Sequence, residues 1–396
     1  MMTPPSPQFT QSVAANISYW QQCTHNLTDD TLPTLDRERQ NLYRAAKFGL
    51  HLPDTWQGTA ELILQTFVFI ERRGYWSEWI PMLEQLLASC PEDDLAVRGR
   101  ILDHLGLFYR YNRQLDKAFS AHQAELEIGL SLDDKWREAH ACINLGAVCR
   151  EMRRFDEGLA YTLAAEKAFK AIKAPLVKHA FVTLELGLLA KAQGQWEDAE
   201  QYLSYSVSLW REVDDPVYLA NCLRLLGQVL VAQDKIDKAL GVYHEAIDVL
   251  TQTENNLEKT RVFIDLGSLH WQQKNLAEAE QCFLKANSTF LRQSGNIFDQ
   301  ALVLNNLGTV YMAQGKLNEA ECAFQRSIAL WKNCDDPIHF ANTLGGLAEV
   351  KAAQGDVASA HQLYGEALTL LAAYPQDAWG QRLQVQFAEA VHNLPK

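Results

Sequence analysis

The sequence predicts an all-α solenoid of antiparallel helix hairpins, and three observations predict it. A leucine followed by glycine or alanine recurs as Leu105, Leu145, Leu186, Leu226, Leu266, Leu307 and Leu347, at intervals of 40, 41, 40, 40, 41 and 40 residues. A period of that size marks a chain built by stacking one supersecondary unit on the next. Thirteen residues after each leucine stands a small residue (Ala118, Gly158, Ala199, Ala239, Ala279, Ala320, Ala360), which lets two helices approach closely. Seventeen residues after it a bulky side chain returns as Leu203, Tyr243, Phe283, Phe324 and Tyr364, a row that His122 and Thr162 break. Gly194, Gly315 and Gly355 lie between, where a glycine stops a helix. Small, large and turn residues at fixed offsets describe one helix hairpin repeated seven times.

Leu-Gly, a turn glycine, a small residue and an aromatic at these offsets resemble the tetratricopeptide repeat. The resemblance covers residues 95–371 and implies a right-handed superhelix with two helices per repeat. An interval of 40 residues is longer than the family's commonest period of about 34. It is similar to the longer-helix repeats of kinesin light chains and of the sensor regions of bacterial signalling ATPases of the STAND type.

Residues 1–10, MMTPPSPQFT, hold three prolines and no helical period, and read as a disordered tail. Residues 11–59 read as an N-terminal helical cap, with a short helix from Gln11 to Cys23 and an amphipathic one from Leu35 to Leu50. Leu35, Glu38, Asn41 and Leu42, followed by Arg73, Gly74 and Tyr75, resemble the linker that precedes the repeats in those signalling ATPases. Residues 60–97 read as a degenerate first repeat, with Gly74 as its turn and Trp76, Trp79 and Ile80 opening its second helix. Trp79 stands where later repeats have Ala or Gly, a change suited to a terminal repeat that acts as a cap.

The seven full repeats occupy residues 98–371. Between them Asp133-Asp134, Asp214-Asp215-Pro216 and Asp335-Asp336-Pro337 put an acid just before a helix start. There a carboxylate accepts hydrogen bonds from free backbone N–H groups, and proline presets the first turn. Capping explains these acids without a catalytic pair. Residues 372–396 predict one more helix, from Pro375 to Leu394, as a C-terminal cap with Gln376, Gln381, Arg382 and Gln384 on its polar side.

Length and composition are consistent with one elongated body. A 47% hydrophobic share is ample for a stacked core, and 36 basic against 49 acidic residues leave a formal charge of −13, which disfavours general attraction to nucleic acid or anionic membrane. Eight cysteines form no C-x-x-C pair, so they read as reduced, buried thiols in place of a zinc ribbon or redox motif. Cys142 and Cys149 lie seven apart on one helix, where packing as small hydrophobes outweighs metal binding. No secretory signal pattern opens the chain and no apolar run spans a bilayer, so a cytoplasmic location is expected.

No reacting constellation emerges. The sequence lacks G-x-G-x-x-G, G-x-S-x-G and H-E-x-x-H, and Gly315-Lys316-Leu317 lacks the other residues of a phosphate loop. His104, His140 and His270 stand singly on predicted helices, where surface or satisfied packing is the better reading. No enzyme activity, cofactor or metal is expected.

The informative surface is the side of each first helix turned away from the marker leucine. At about 100° per residue, offsets of −5, −2, +2 and +5 lie there, and the resemblance implies that this side lines a concave groove. Offset +5 reads Arg110, Arg150, Lys191, Val231, Trp271, Met312 and Ala352, a basic ladder followed by an apolar floor. Further candidates are Arg100, His140, Asn221, Arg261 and Asn342 at −5, and Arg224 and Asn305 at −2. Asn144 and Asn306 precede the leucine, where similar repeats use Asn to hydrogen-bond a ligand's main chain. The expected function is a non-enzymatic scaffold that binds a peptide or helix of another protein, acidic at the end held by the early repeats. Two alternatives are a ligand- or peptide-sensing module of a bacterial signalling or transcription-control system, and RNA binding through the basic half, which the overall charge opposes.

Overall fold

The computed structural model describes residues 6–25, 27, 31–251, 253, 256–288, 291–292, 296–334 and 336–395. Every regular element among them is helical. The chain divides into two compact units, residues 1–255 and 256–396, where the sequence reading expects one continuous body. Stacked repeats touch mainly their neighbours, so a row of repeats need not make one body.

The first unit opens with α1 (Pro7–Thr24) and α2 (Leu32–Leu50). Residues 1–5 of the expected tail lie outside the described residues, and the remainder is ordered as helix. The Ser6 hydroxyl accepts the Phe9 N–H at 3.2 Å, and Pro7 occupies a first-turn position where no N–H is needed. Then α3 (Trp56–Gln65) and α4 (Phe67–Arg73), parted at Thr66, precede α5 (Trp76–Ser89). Gly74, with φ of 76°, makes the turn between α4 and α5. Its neighbours reach back to α2: Arg73 pairs with Asp36 at 3.0 Å and the Tyr75 hydroxyl donates to the same carboxylate at 2.9 Å.

Four repeats follow in this unit: α6 (Leu95–Tyr111) with α7 (Leu115–Ser131), α8 (Lys135–Glu151) with α9 (Phe155–Ala171), α10 (Leu176–Ala192) with α11 (Trp196–Val213), and α12 (Pro216–Ala232) with α13 (Ile236–Leu250). The second unit holds three: α14 (Asn256–Gln272) with α15 (Leu276–Ala286), α16 (Ile297–Ala313) with α17 (Leu317–Trp331), and α18 (Pro337–Ala353) with α19 (Val357–Ala372). Helix α20 (Ala378–Asn393) closes it, burying Leu383 and Phe387 against Leu344 and Tyr364. The first helix of every repeat is 17 residues long.

The hairpins close as the offsets require. Ala118, Ala199, Ala239, Ala279, Ala320 and Ala360 are fully buried. The glycine after the marker leucine receives the second-helix side chain in six of the seven repeats, the seventh having Ala348: a methyl group on Gly267 or Gly308 would stand 2.8 Å from the Phe283 or Phe324 ring. Burying one such ring stabilises the hairpin by about 1.5–3 kcal/mol.

The turn within every repeat uses one left-handed residue at the same offset. Glycine holds it at 194, 315 and 355, but Arg113, Arg153, Asp234 and Lys274 hold it elsewhere with φ near 60°. Between repeats, Asp134, Asp215 and Asp336 cap α8, α12 and α18 by accepting N–H groups at 3.0–3.1 Å. Asp335 of the third acidic link lies outside the described residues.

Candidate functional site

The three bases of the expected ladder occur with counter-charges of their own. Arg110 Nε lies 3.7 Å from Glu151 Oε1, and Arg150 Nε donates to Glu185 Oε1 at 2.6 Å. Glu151 also takes Arg113 at 3.3 Å and Arg150 at 3.7 Å, so one carboxylate serves three guanidinium groups. Lys191 donates through Nζ to the Gln228 amide oxygen. Both arginine side chains are less than one-fifth exposed. The expected ladder is therefore a lattice of alternating charges in place of a bare cationic stripe. Beside it the Tyr111 hydroxyl donates to Glu71 at 2.9 Å, and burial raises the Glu71 carboxyl above its ordinary range. Further along, Arg224 donates to Asn221 Oδ1 at 3.0 Å, while Tyr218 stacks on buried Trp210 with ring centres 4.7 Å apart.

In the second unit Arg261 reaches Asp299 at 3.4 Å and Glu258 at 3.6 Å. Asn305 is buried: its amide donates to Asn306 Oδ1 at 3.3 Å and its oxygen accepts the Thr343 hydroxyl at 3.0 Å. Asn306 and Asn342 are half-buried. Trp271 and Met312, expected as exposed, are half-buried as well. Trp271 packs against the cluster containing Ile264, Phe283 and Val303, and Met312 against that containing Phe324, Leu347 and Val350. An offset of +5 lies about 140° from the marker leucine, close enough to the core-facing side for each side chain to lean on it.

The structure also gathers residues that the sequence leaves apart. His122, which breaks the bulky row, is fully buried on α7, and its Nδ1 lies 3.0 Å from Glu125 Oε2. His140 on α8 puts Nδ1 at 3.4 Å from Asp103 Oδ1 and 3.8 Å from Glu125 Oε1. Asn144 donates to Asp103 Oδ1 at 3.1 Å, so one of the asparagines expected to hold a ligand main chain is engaged within the protein.

The electrostatics of this cluster are strong. Burial alone would lower the His140 imidazole, but the Asp103 charge and hydrogen bonds to Asp103 and Glu125 carry it up to about 9. Burial alone would raise Asp103, yet the His140 charge and the hydrogen bond with His140 hold it well below the carboxylate range. His104, stacked on Phe67 with ring centres 4.2 Å apart, is pulled down to about 4, chiefly by burial. Asp103, His122 and Glu125 carry no motif in the sequence. Their one legible signal is an imidazole at an offset otherwise filled by leucine, tyrosine, phenylalanine or threonine.

Two tetratricopeptide repeat models match the sequence, one over residues 179–252 and 299–373 and the other over 224–289. The chain carries tetratricopeptide repeats over those residues. Among curated proteins, the repeat protein is 21% identical over 184 residues to the 43 kDa receptor-associated protein of the synapse from Tetronarce californica, covering 46% of this chain and 45% of that one. It thus spans under half the length of that relative. Among solved structures, a Signal Transduction ATPase with Numerous Domains protein with a tetratricopeptide repeat sensor, from Pyrococcus horikoshii, superposes with a TM-score of 0.56 at 15% identity, over 88% of this chain and 55% of that one. Aspartyl phosphate phosphatase F from Bacillus subtilis superposes with a TM-score of 0.54 at 12% identity, over 96% and 97%. Both likenesses are of fold. No described helix of the repeat protein is long and apolar enough to cross a membrane.

Proposed function

We propose that this chain is a non-enzymatic interaction scaffold that holds a peptide or helix of another protein along the first-helix faces of its repeats. The observation that supports this is register: Lys191, Asn221 and Arg224 in the first unit, and Arg261, Trp271, Asn306, Met312 and Asn342 in the second, are half-buried side chains at recurring offsets. Polar groups and an aromatic at repeat spacing suit an extended segment better than a compact substrate. Fold alone does not choose between scaffold and catalyst, as the likeness to a phosphatase makes plain. The proposal assigns the chain no reaction and places it in the cytoplasm.

An acidic end on the partner belongs to the same proposal, with one refinement. A partner carboxylate would have to exchange with Glu151 and Glu185 for Arg110 and Arg150, so its salt dependence is expected to be shallower than three free bases would give. The paired bases and the charge of −13 both weigh against RNA.

The test begins with pull-down by the full chain and mass spectrometry, followed by titration of the captured segment. Trp271→Ala is expected to weaken binding about tenfold or more with the salt dependence preserved, while Arg150→Glu weakens it and flattens that dependence. Equal, salt-independent losses from both would overturn the groove reading. A second reading, a sensor module serving an output domain on another chain, is favoured by the contact of Arg73 and Tyr75 with Asp36, since the motif that resembles the signalling ATPase linker closes on itself. Capture of a small peptide in place of a protein would select it.

A further inference from the structure

We propose that Asp103, His122, Glu125 and His140 form a binding site for a divalent first-row transition ion, with zinc as the best match, that fastens the first repeat to the second. The cluster draws on three helices, α6, α7 and α8, and one donor atom each from Asp103, His122 and Glu125 lie within 4.8 Å of one another. His140 adds a second imidazole, 3.4 Å from Asp103 and 3.8 Å from Glu125. A tetrahedral ion with ligands at about 2.0–2.2 Å sets neighbouring donors roughly 3.3–3.6 Å apart; the distances from His140 to Asp103 and Glu125 already lie near that range, and the donors of Asp103, His122 and Glu125, spread over as much as 4.8 Å, would close on an ion by side-chain rotation. Two imidazoles and two carboxylates suit zinc and its neighbours. Calcium and magnesium prefer all-oxygen shells, and copper(I) prefers sulfur.

Packing does not account for these residues. His122 stands at the offset where other repeats bury leucine, tyrosine, phenylalanine or threonine, and it is fully buried with Nε2 lacking a partner. The ring is wedged against Gly106, where a methyl group would collide with it, so the Nε2 edge is closed and Nδ1 is the nitrogen that faces Glu125. Glu125 is itself 1% exposed, and a buried carboxylate requires a compensating cation. Asn144, donating to Asp103 Oδ1 at 3.1 Å, supplies the outer hydrogen bond that orients a ligating carboxylate. Half-buried Asp103 and His140 leave an entry path beside the buried pair.

The experiment uses the untagged full chain, stripped with chelator, dialysed against zinc chloride and measured for bound zinc by mass spectrometry and competition with a chromophoric chelator. One zinc per chain is expected, with a rise in the thermal midpoint of the first unit. Asp103→Asn and His140→Gln, at half-buried positions that tolerate change, should each weaken binding by at least about tenfold while keeping the helical circular dichroism. Cys142→Ser with Cys149→Ser should leave binding unchanged. Absence of stoichiometric zinc, or zinc retained equally by both ligand variants, overturns the proposal. Loss in the cysteine variant alone does so too, since it would place the ion on thiolates.

Discussion

The hairpins of the first and sixth repeats share a backbone and differ in chemistry. In the sixth, Phe324 of α17 presses on Gly308 of α16 within a cluster of Ala320, Leu347 and Val350. In the first, His122 of α7 presses on Gly106 of α6 and continues into Glu125, Asp103 and His140. In these two repeats a planar ring fills the space beside a glycine that Thr162 and Leu203 fill in others, and the surroundings of the ring differ. Phenylalanine satisfies the shape by exclusion of water. Histidine satisfies it only with a retinue of charges.

The largest effect should come from the apolar member. Phe324→Ala is expected to remove about 3–5 kcal/mol from the unfolding of the second unit, read as a lower urea midpoint. In the first repeat, His122→Phe keeps the ring but takes the nearest partner from Glu125, and about 3 kcal/mol should be lost in chelator-treated protein. His122→Phe with Glu125→Leu should recover most of that loss or exceed the parent. A neutral single variant would show that the histidine is only a ring, and would break the contrast between the repeats.

Smaller effects sharpen it. Lys274 holds the left-handed turn position that Gly315 and Gly355 hold elsewhere, so Lys274→Gly is expected to stabilise the second unit by up to about 1 kcal/mol, whereas Gly315→Ala should cost as much or more. The smallest change concerns Glu71. Burial raises its folded value, so its uncharged form is the favoured one; its contribution is present below the ordinary carboxylate range and is lost as pH rises through the raised value. Glu71→Gln should therefore gain stability relative to the parent as pH rises from the ordinary carboxylate range through the raised value, and a constant difference across that window would count against a raised carboxyl.

Much of the fold was legible because it repeats. One leucine and one small residue at fixed offsets, with a bulky side chain in five of the seven, located the fourteen helices of the seven hairpins, and the acids before Pro216 and Pro337 proved to cap α12 and α18. The turn conformation was legible only where glycine advertised it. Nothing about Arg113, Arg153, Asp234 or Lys274 as side chains discloses a positive φ, which their shared offset imposes. The partners of the expected ladder were not legible: Glu151 and Glu185 pair the bases from neighbouring positions that a single-offset reading passes over. The histidine cluster was least visible, since its members are spread over residues 103–140 and meet only when three helices pack.

The uniform 17-residue first helix also bears on the order of events during synthesis. Gly308 and Phe324 are 16 residues apart in the chain, and the contacts that close a hairpin need no distant segment, so little loop-closure entropy stands in the way. A hairpin can settle as soon as its second helix has been made, with the growing row as template. The charged cluster keeps a different timetable. Asp103, His122 and Glu125 are in place once α7 exists, but His140 arrives with α8, so for that interval Glu125 has a single imidazole beside it. The first repeat is completed only by the birth of the second.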